Sequence, residues 1–255
     1  MLYARTERRQ RGPTEACEAA LARFVELANT GKREIGILDF ISQTRFAEAV
    51  DSREAVRLGA LFTEAGSDKE KHDYHLLYQV VLATCLRRLQ SSEAIVMEIG
   101  IGSNNPSVPN NMGVYGKPGA SLRAFRDIDP RISVIGGDVD KGVLFAEERI
   151  STLFSNQLSL ASLENFFSSS PRFDVFVDDG FHEFDANLNT LSVAAKYAGF
   201  GSWIVIEDID PSQESLERWL AVGELLSDRF DCWVIRLVHS LVFVAERITP
   251  GDSSE

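Results

Sequence analysis

Cysteine is scarce in this chain: Cys17, Cys85 and Cys232 are the only three among 255 residues, and no two form a Cys-x-x-Cys pair. An odd number so widely spaced signals neither a disulfide framework nor a thiolate zinc site, so buried thiols are expected. Positive charge is also short, with 26 Lys and Arg against 38 Asp and Glu and a formal net charge of -12. That balance opposes a sequence-independent grip on phosphate backbones or anionic membranes, so neither nucleic acid nor membrane is expected as a partner. Long apolar runs are missing too. No segment reaches the roughly 18 residues a membrane span requires. The basic stretch MLYARTERRQRGP is followed by no apolar run of the signal-peptide kind, which leaves a cytoplasmic protein as the expectation.

What is present suffices for a core: 44% of the residues are hydrophobic, enough for one large domain or a domain with an appendage. From Pro13 to about Gln90 the pattern is helical. Leu21, Phe24, Val25 and Ala28 share a face, with Thr14 placed to cap that helix and Gly31 to end it. Ile37, Phe40 and Ile41, then Tyr74, Leu77, Tyr78 and Val81, repeat the spacing, and no strand is expected there. Residues 1–90 are read as an N-terminal helical cap.

From Ser92 onward, the short apolar runs AIVMEIG, ISVIGGD, FDVFVDDG, SWIVIED, CWVIRLV and LVFVAER alternate with other segments. Those between them, ASLRAFRDI, KGVLFAEERI, LASLENFFSS, ANLNTLSVAAKYA and PSQESLERWLAVGELL, are read as helices. The alternation predicts an α/β fold over residues 91–248, a doubly wound, mainly parallel, Rossmann-like sheet. Only His-Ser separates the last two strands, so they should pair antiparallel at one edge. Residues 249–255 read as a disordered tail.

In such sheets ligands sit beyond the carboxyl ends of the strands, where the chain order reverses. Strand AIVMEIG runs into Gly100 and Gly102, where a backbone without Cβ atoms lets a ligand approach closely. The next strand ends at Asp138, expected to be exposed there and suited to the two hydroxyls of a ribose. The dinucleotide fingerprint is incomplete: Gly102 is followed by SNNPSV, and Asp138 comes far beyond the usual spacing of about 20 residues. S-adenosylmethionine, which has no pyrophosphate, is therefore favoured over NAD. The long insert SNNPSVPNNMGVYGKPG between strand and helix reads either as a lid over the ligand or as a solvated loop.

Two further strand ends carry Asp178 with Asp179 and Glu207 with Asp208. Right-handed crossover makes these strands plausible neighbours, so three or four carboxylates converge. Each acid alone reads as a turn residue or helix cap. Together they suit a hard divalent ion, Mg2+, with Asp179, Glu207 and Asp208 as ligands and Asp178 as a structural or cofactor-side member. His182, three residues past Asp179, is either a helix-end hydrogen bonder or a general base beside the cation.

The segments GSDKEKHDYHLLY, MEIGIGSNNPSVPNNMGVYGKPGASLRAF, GGDVD, VDDGFHEFDANLNTL and VIEDID resemble class I S-adenosylmethionine-dependent methyltransferases, in particular the Mg2+-dependent O-methyltransferases of macrolide sugars. The similarity spans roughly residues 67–244. It implies Asp179, Glu207 and Asp208 as metal ligands, with His182 as the base and Asp179 also catalytic. It implies Glu98, Gly100, Gly102, Ser121, Asp138, Gln157, Asp178 and Lys69 on the cofactor side, with Lys69, His72 and Tyr74 bordering the pocket. The implied reaction is methyl transfer to a hydroxyl of a small molecule, a sugar or polyol of a natural product, by an enzyme with room for homo-oligomer formation. Cephalosporin hydroxylase-like proteins share this type of metal site. The same residues are also compatible with an N-methyltransferase or with a non-catalytic ligand-binding subunit.

Overall fold

The computed structural model describes residues 34–90 and 92–249. The helix expected around Leu21 to Ala28, its ends at Thr14 and Gly31, Cys17 and all but the first residue of the tail lie outside the described residues. In chain order the elements are β1 (Ile35–Gly36), α1 (Ile37–Ile41), α2 (Ser52–Ala65), α3 (Tyr74–Leu89), β2 (Ala94–Ile99), α4 (Ala120–Ile128), β3 (Ile132–Asp138), β4 (Ala146–Glu147) and β5 (Ile150–Phe154). There follow α5 (Leu160–Phe167), β6 (Phe173–Asp178), α6 (Phe184–Tyr197), β7 (Ala198–Ile209), α7 (Gln213–Leu226), β8 (Phe230–Arg236) and β9 (Leu241–Arg247).

The strands form one sheet in the order β1-β8-β9-β7-β6-β2-β3-β5-β4. The run from β7 through β6, β2 and β3 to β5 is parallel throughout. The expected doubly wound sheet is therefore present, and its chain order reverses between β2 and β6. Phe176, Met97, Ile204 and Ile206 pack with α5, α6 and α7 on one face. Val96, Val177, Val205 and Trp203 pack with α1 to α4 on the other. Strand alternation thus decides which helical layer each terminal acid meets.

Three local expectations are corrected. KGVLFAEERI is not a helix: Lys141–Val143 make a single 3-10 turn, and β4 and β5 follow. Pairing of Ile150 to Phe154 along β3, in register with Val134 to Asp138, satisfies the backbone groups that a helix would have satisfied locally, and the β-branched Ile150 and Thr152 suit it. Within the segment expected to be wholly helical, Ile35 and Gly36 add a short parallel strand to β8. The β8–β9 pair is antiparallel as expected, but β9 lies inside the sheet between β7 and β8. Among the described residues no helix is long and apolar enough to cross a membrane.

The helices at 37–89 share a layer with α4. Phe125 of α4 meets Phe62 of α2 edge-on at 5.5 Å and Tyr78 of α3 at 5.0 Å, and all three rings are fully buried. Phe125→Ala should cost about 3–5 kcal/mol through the lost ring and the cavity left behind. Urea unfolding checks this, and a loss below about 1 kcal/mol would mean that the layer repacks freely.

Candidate active site

The turn after β2 is tied to both neighbouring strands. Gly100 N–H donates to the Gly137 carbonyl (2.8 Å), Asp179 N–H to the Ile99 carbonyl (2.9 Å) and Gly119 N–H to the Ile101 carbonyl (2.7 Å). Gly100 sits at φ 89°, and a Cβ there would fall 2.0 Å from the Asp179 carbonyl oxygen. No other residue type fits.

Beside this turn lies an open cleft of about 180 Å³, lined among others by Gly100, Gly102, Asp138, Gln157, Asp179 and Phe181. A second cleft shares Gly100 and Asp179 and is lined also by Lys69, Met112 and Ser121. Part of the long insert borders the first cleft through Val108, Pro109 and Asn110. The Asn110 side chain donates to the Phe181 carbonyl (2.6 Å), so the insert bridges from the β2 side to the β6 side, as a lid would.

Asp138, expected at an exposed strand end, is buried instead, 5% accessible. Its Oδ1 accepts from Asp140 N–H (2.8 Å). Burial raises its pKa, while the backbone amides of Asp140, Gly102 and Ile101 act to lower it. The acid therefore helps to hold the glycine turn. Gln157 reaches the cleft wall with its amide committed: Nε2 donates to Asp178 Oδ1 (2.7 Å) and Thr190 Oγ1 (2.9 Å), and Oε1 accepts from Phe181 N–H (2.7 Å). Asp178 shares the parity of Phe176 and faces the α5–α6 layer. It is absent from the lining of either cleft, and burial pushes its carboxyl up to about 7. It supports Gln157 rather than facing the clefts.

Glu98, Asp179 and Glu207 share the parity of Val96, Val177 and Val205 and point toward α3. There they meet Lys69, from the turn between α2 and α3, whose side chain is 3% accessible. Lys69 Nζ lies 2.7 Å from Asp179 Oδ2, is hydrogen-bonded to Glu207 Oε2 and is 3.6 Å from Glu98 Oε1. Burial alone would lower the ammonium's pKa, but Asp179, Glu207 and Glu98 hold it well above its ordinary value. Burial likewise raises the Asp179 and Glu207 carboxyls, against the pull of Lys69, and brings Glu98 to about 7. Ser121 Oγ donates to Glu98 Oε2 (2.7 Å), leaving Glu98 Oε1 with no hydrogen bond among the described residues.

The register of β7 against β9 shifts between Ile206 and Ile209, and Asp208 takes φ 50°. This bulge keeps Glu207 inward while turning Asp208 to the mouth. Tyr78 OH donates to Glu207 Oε1, and Tyr74 OH donates to Asp208 Oδ1 (2.9 Å). His182, at φ 59° two residues ahead of α6, brings Nε2 to 4.0 Å from Asp179 Oδ1. Two non-glycine residues in the left-handed region within one cluster are the kind of strain found at functional sites. Ligand atoms of Asp179, His182 and Asp208 lie within 4.8 Å of one another. Glu207 stands outside that trio, its carboxylate engaged by Lys69 and Tyr78. His72 meets His239 edge-on at 5.7 Å, also outside the trio. The helical spacing marks Tyr78 only as core, and its bond to Glu207 escapes a reading of the sequence. The available signal is a tyrosine four residues from Tyr74, where phenylalanine would pack equally well.

No family model matches the chain. The 8-demethyl-8-alpha-L-rhamnosyl tetracenomycin-C 2'-O-methyltransferase of Streptomyces olivaceus is 26% identical over 174 residues, 68% of this chain and 43% of that protein. The structure of MycE methyltransferase from the mycinamycin biosynthetic pathway with Mg and SAH aligns with TM-score 0.58 and 23% identity over 78% of this chain and 56% of that one. The same enzyme with Mg, SAH and mycinamycin VI aligns at 0.59 and 21%, with the same coverage. The fold is that of the class I S-adenosylmethionine-dependent methyltransferases. The resemblance carried by the motifs is borne out at that level, and this chain spans about half the length of the relatives it matches. On the methyltransferase fold, the paired clefts and the acid cluster occupy the carboxyl ends of β2, β3, β6 and β7, where the chain order reverses.

Gly100→Ala should lower stability by more than about 1 kcal/mol, since it adds both positive-φ strain and a backbone collision. A melting temperature equal to that of the wild type would show that the β2–β6 junction is looser than its hydrogen bonds indicate.

Proposed function

We propose that this chain is the catalytic part of an S-adenosylmethionine-dependent, Mg2+-dependent O-methyltransferase acting on a hydroxyl of a small molecule, a sugar or polyol of a natural product. The observation that carries the reading is the convergence of carboxylates from three neighbouring strand ends on one buried ammonium beside the glycine-turn cleft. The sugar-directed activity named for the tetracenomycin relative, and mycinamycin VI in the MycE complex, support the acceptor class.

The residues fit both groups. Gly100 and Gly102 leave room for the donor's adenosine beside Asp138, and the second cleft, with Ser121 and Lys69 at its wall and Glu98 behind them bonded to Ser121, suits the amino-acid end. Gln157 and Asp178 act on that side by holding Phe181 and the cleft wall. Asp179, Glu207 and Asp208 supply the hard oxygen donors that Mg2+ prefers. When bound there, the ion lowers the pKa of an acceptor hydroxyl, and the donor supplies an electrophilic methyl.

His182 Nε2, partly exposed at the mouth, takes the proton of the acceptor hydroxyl, and Asp179 beside it stabilises the resulting imidazolium. The lid and the α2–α3 turn exclude water and align the reactants, an effect worth on the order of 7 to 11 kcal/mol of barrier in well-oriented cases. A formal charge of -12 favours a small acceptor over a phosphate-bearing polymer. A cytoplasmic location, no nucleic-acid or membrane partner and a homo-oligomeric assembly belong to the same proposal.

Calorimetry with S-adenosylhomocysteine should show binding to the wild type and weakened binding to Asp138→Asn, with no binding of NAD to either. A protein that takes NAD and not the thioether ligand would overturn the donor assignment.

Chelation by EDTA should abolish methyl transfer and added Mg2+ restore it. His182→Ala should keep metal and donor affinity but lose a factor on the order of 100 to 10,000 in rate. Full turnover in EDTA would remove the metal from the reaction, and an unimpaired His182→Ala enzyme would leave the histidine structural.

A further inference from the structure

The position that Asp179 Oδ2 and Glu207 Oε2 jointly face is already filled by a cation of the protein itself, the Lys69 ammonium. We infer that Lys69 is a built-in stand-in for the divalent ion: it holds the acid cluster together while the metal is absent, and hands Asp179 and Glu207 over when the metal arrives by moving to Glu98. The inference rests on the metal reading above and deepens it.

Three observations carry it. The ammonium contacts two of the three proposed metal ligands directly, at the point where their oxygens converge, and like charges a few ångströms apart in a buried site repel strongly. A divalent ion and the ammonium therefore compete for those oxygens. A destination for the displaced ammonium also exists: Glu98 Oε1, buried, without a hydrogen bond among the described residues and only 3.6 Å from Nζ. Finally, lysine carries its charge on a flexible four-carbon stem, and this one comes from a turn rather than from a helix or strand, so the head can shift while the fold stays in place. The turn itself is held by Ser67 Oγ, which accepts from Lys69 N–H (3.3 Å), and by Tyr74 N–H donating to the Lys69 carbonyl (3.1 Å).

Lys69 lines the cleft assigned to the donor's amino-acid end, and in its second position it would stand closer to Glu98, behind that wall. Metal binding would thereby alter the charge facing the donor, and by linkage donor binding would alter metal affinity by the same factor. Lys69 is a positioning residue in this scheme. It acts on the reaction through the carboxylates.

Titration of the full chain with MgCl2 by calorimetry, together with melting temperatures in EDTA and in Mg2+, tests the inference without reading turnover. Lys69→Met removes the competitor, so it should bind Mg2+ more tightly by about tenfold, within the usual range of coupling between sites. Its melting temperature should fall below the wild type in EDTA and recover most of that difference in Mg2+. Glu98→Gln weakens the destination while leaving the proposed ligands intact, so Mg2+ affinity should drop. A lysine that merely props up the ligands predicts the opposite for Lys69→Met. Weaker or equal Mg2+ binding by that variant, with measurable binding by the wild type, overturns the inference and leaves the metal reading standing. Should Lys69→Met fail to fold even in Mg2+, the Glu98→Gln titration decides, unchanged affinity counting against the handover. Mg2+ binding to neither wild type nor variants would sink the metal reading and this inference together.

Discussion

One buried ammonium surrounded by three carboxylates is the constraint around which the rest of this molecule is arranged. Glu98, Asp179 and Glu207 are carried by three adjacent parallel strands, and each would repel the others if all were charged and unscreened. Lys69 makes the arrangement tolerable. Breaking such a cluster by removing one partner leaves uncompensated buried charge and is far more damaging than never having built it. The cost of keeping it argues for use: acids this close, at the sheet end where chain order reverses, are poorly explained by stability alone.

The neighbouring features follow from that cluster. The β7 bulge separates two consecutive acids, sending Glu207 inward to Lys69 and Tyr78 and Asp208 outward to Tyr74. Tyrosines one helical turn apart on α3 give each acid its own hydroxyl. Gly100 must be glycine because the peptide after Asp179 lies against it, and that contact joins the donor cleft to the acid cluster. The two clefts are therefore mechanically one site, with Gly100 and Asp179 in the wall of each.

Much of this is legible in the amino-acid sequence. The strands carrying Glu98, Asp138, Asp178 and Glu207 stand out by their apolar runs, because a strand buried on both faces is a local and conspicuous pattern. The pairing of β6 beside β7 follows from right-handed crossover. Segment 141–150 misleads because a short amphipathic stretch looks helical until a partner strand is known, and β5 gains its hydrogen bonds from β3, not from its own sequence. Asp138 looks exposed because nothing in GGDVD says that the glycine turn folds back over it. Asp178 leaves a structural and a cofactor-side role open because two adjacent acids are alike in a sequence, although alternation sends them to opposite faces.

By itself, then, the sequence determined which residue types stand at the strand ends and that their chemistry is acidic, since strand period and turn composition are written in neighbouring residues. Tertiary structure alone decided which acid meets which partner. Lys69 lies 110 residues from Asp179 and 138 from Glu207 along the chain. Their meeting depends on how α3 crosses the sheet and on a one-residue irregularity in β7. Neither is encoded by any short pattern, because both are set by packing between segments far apart in the chain.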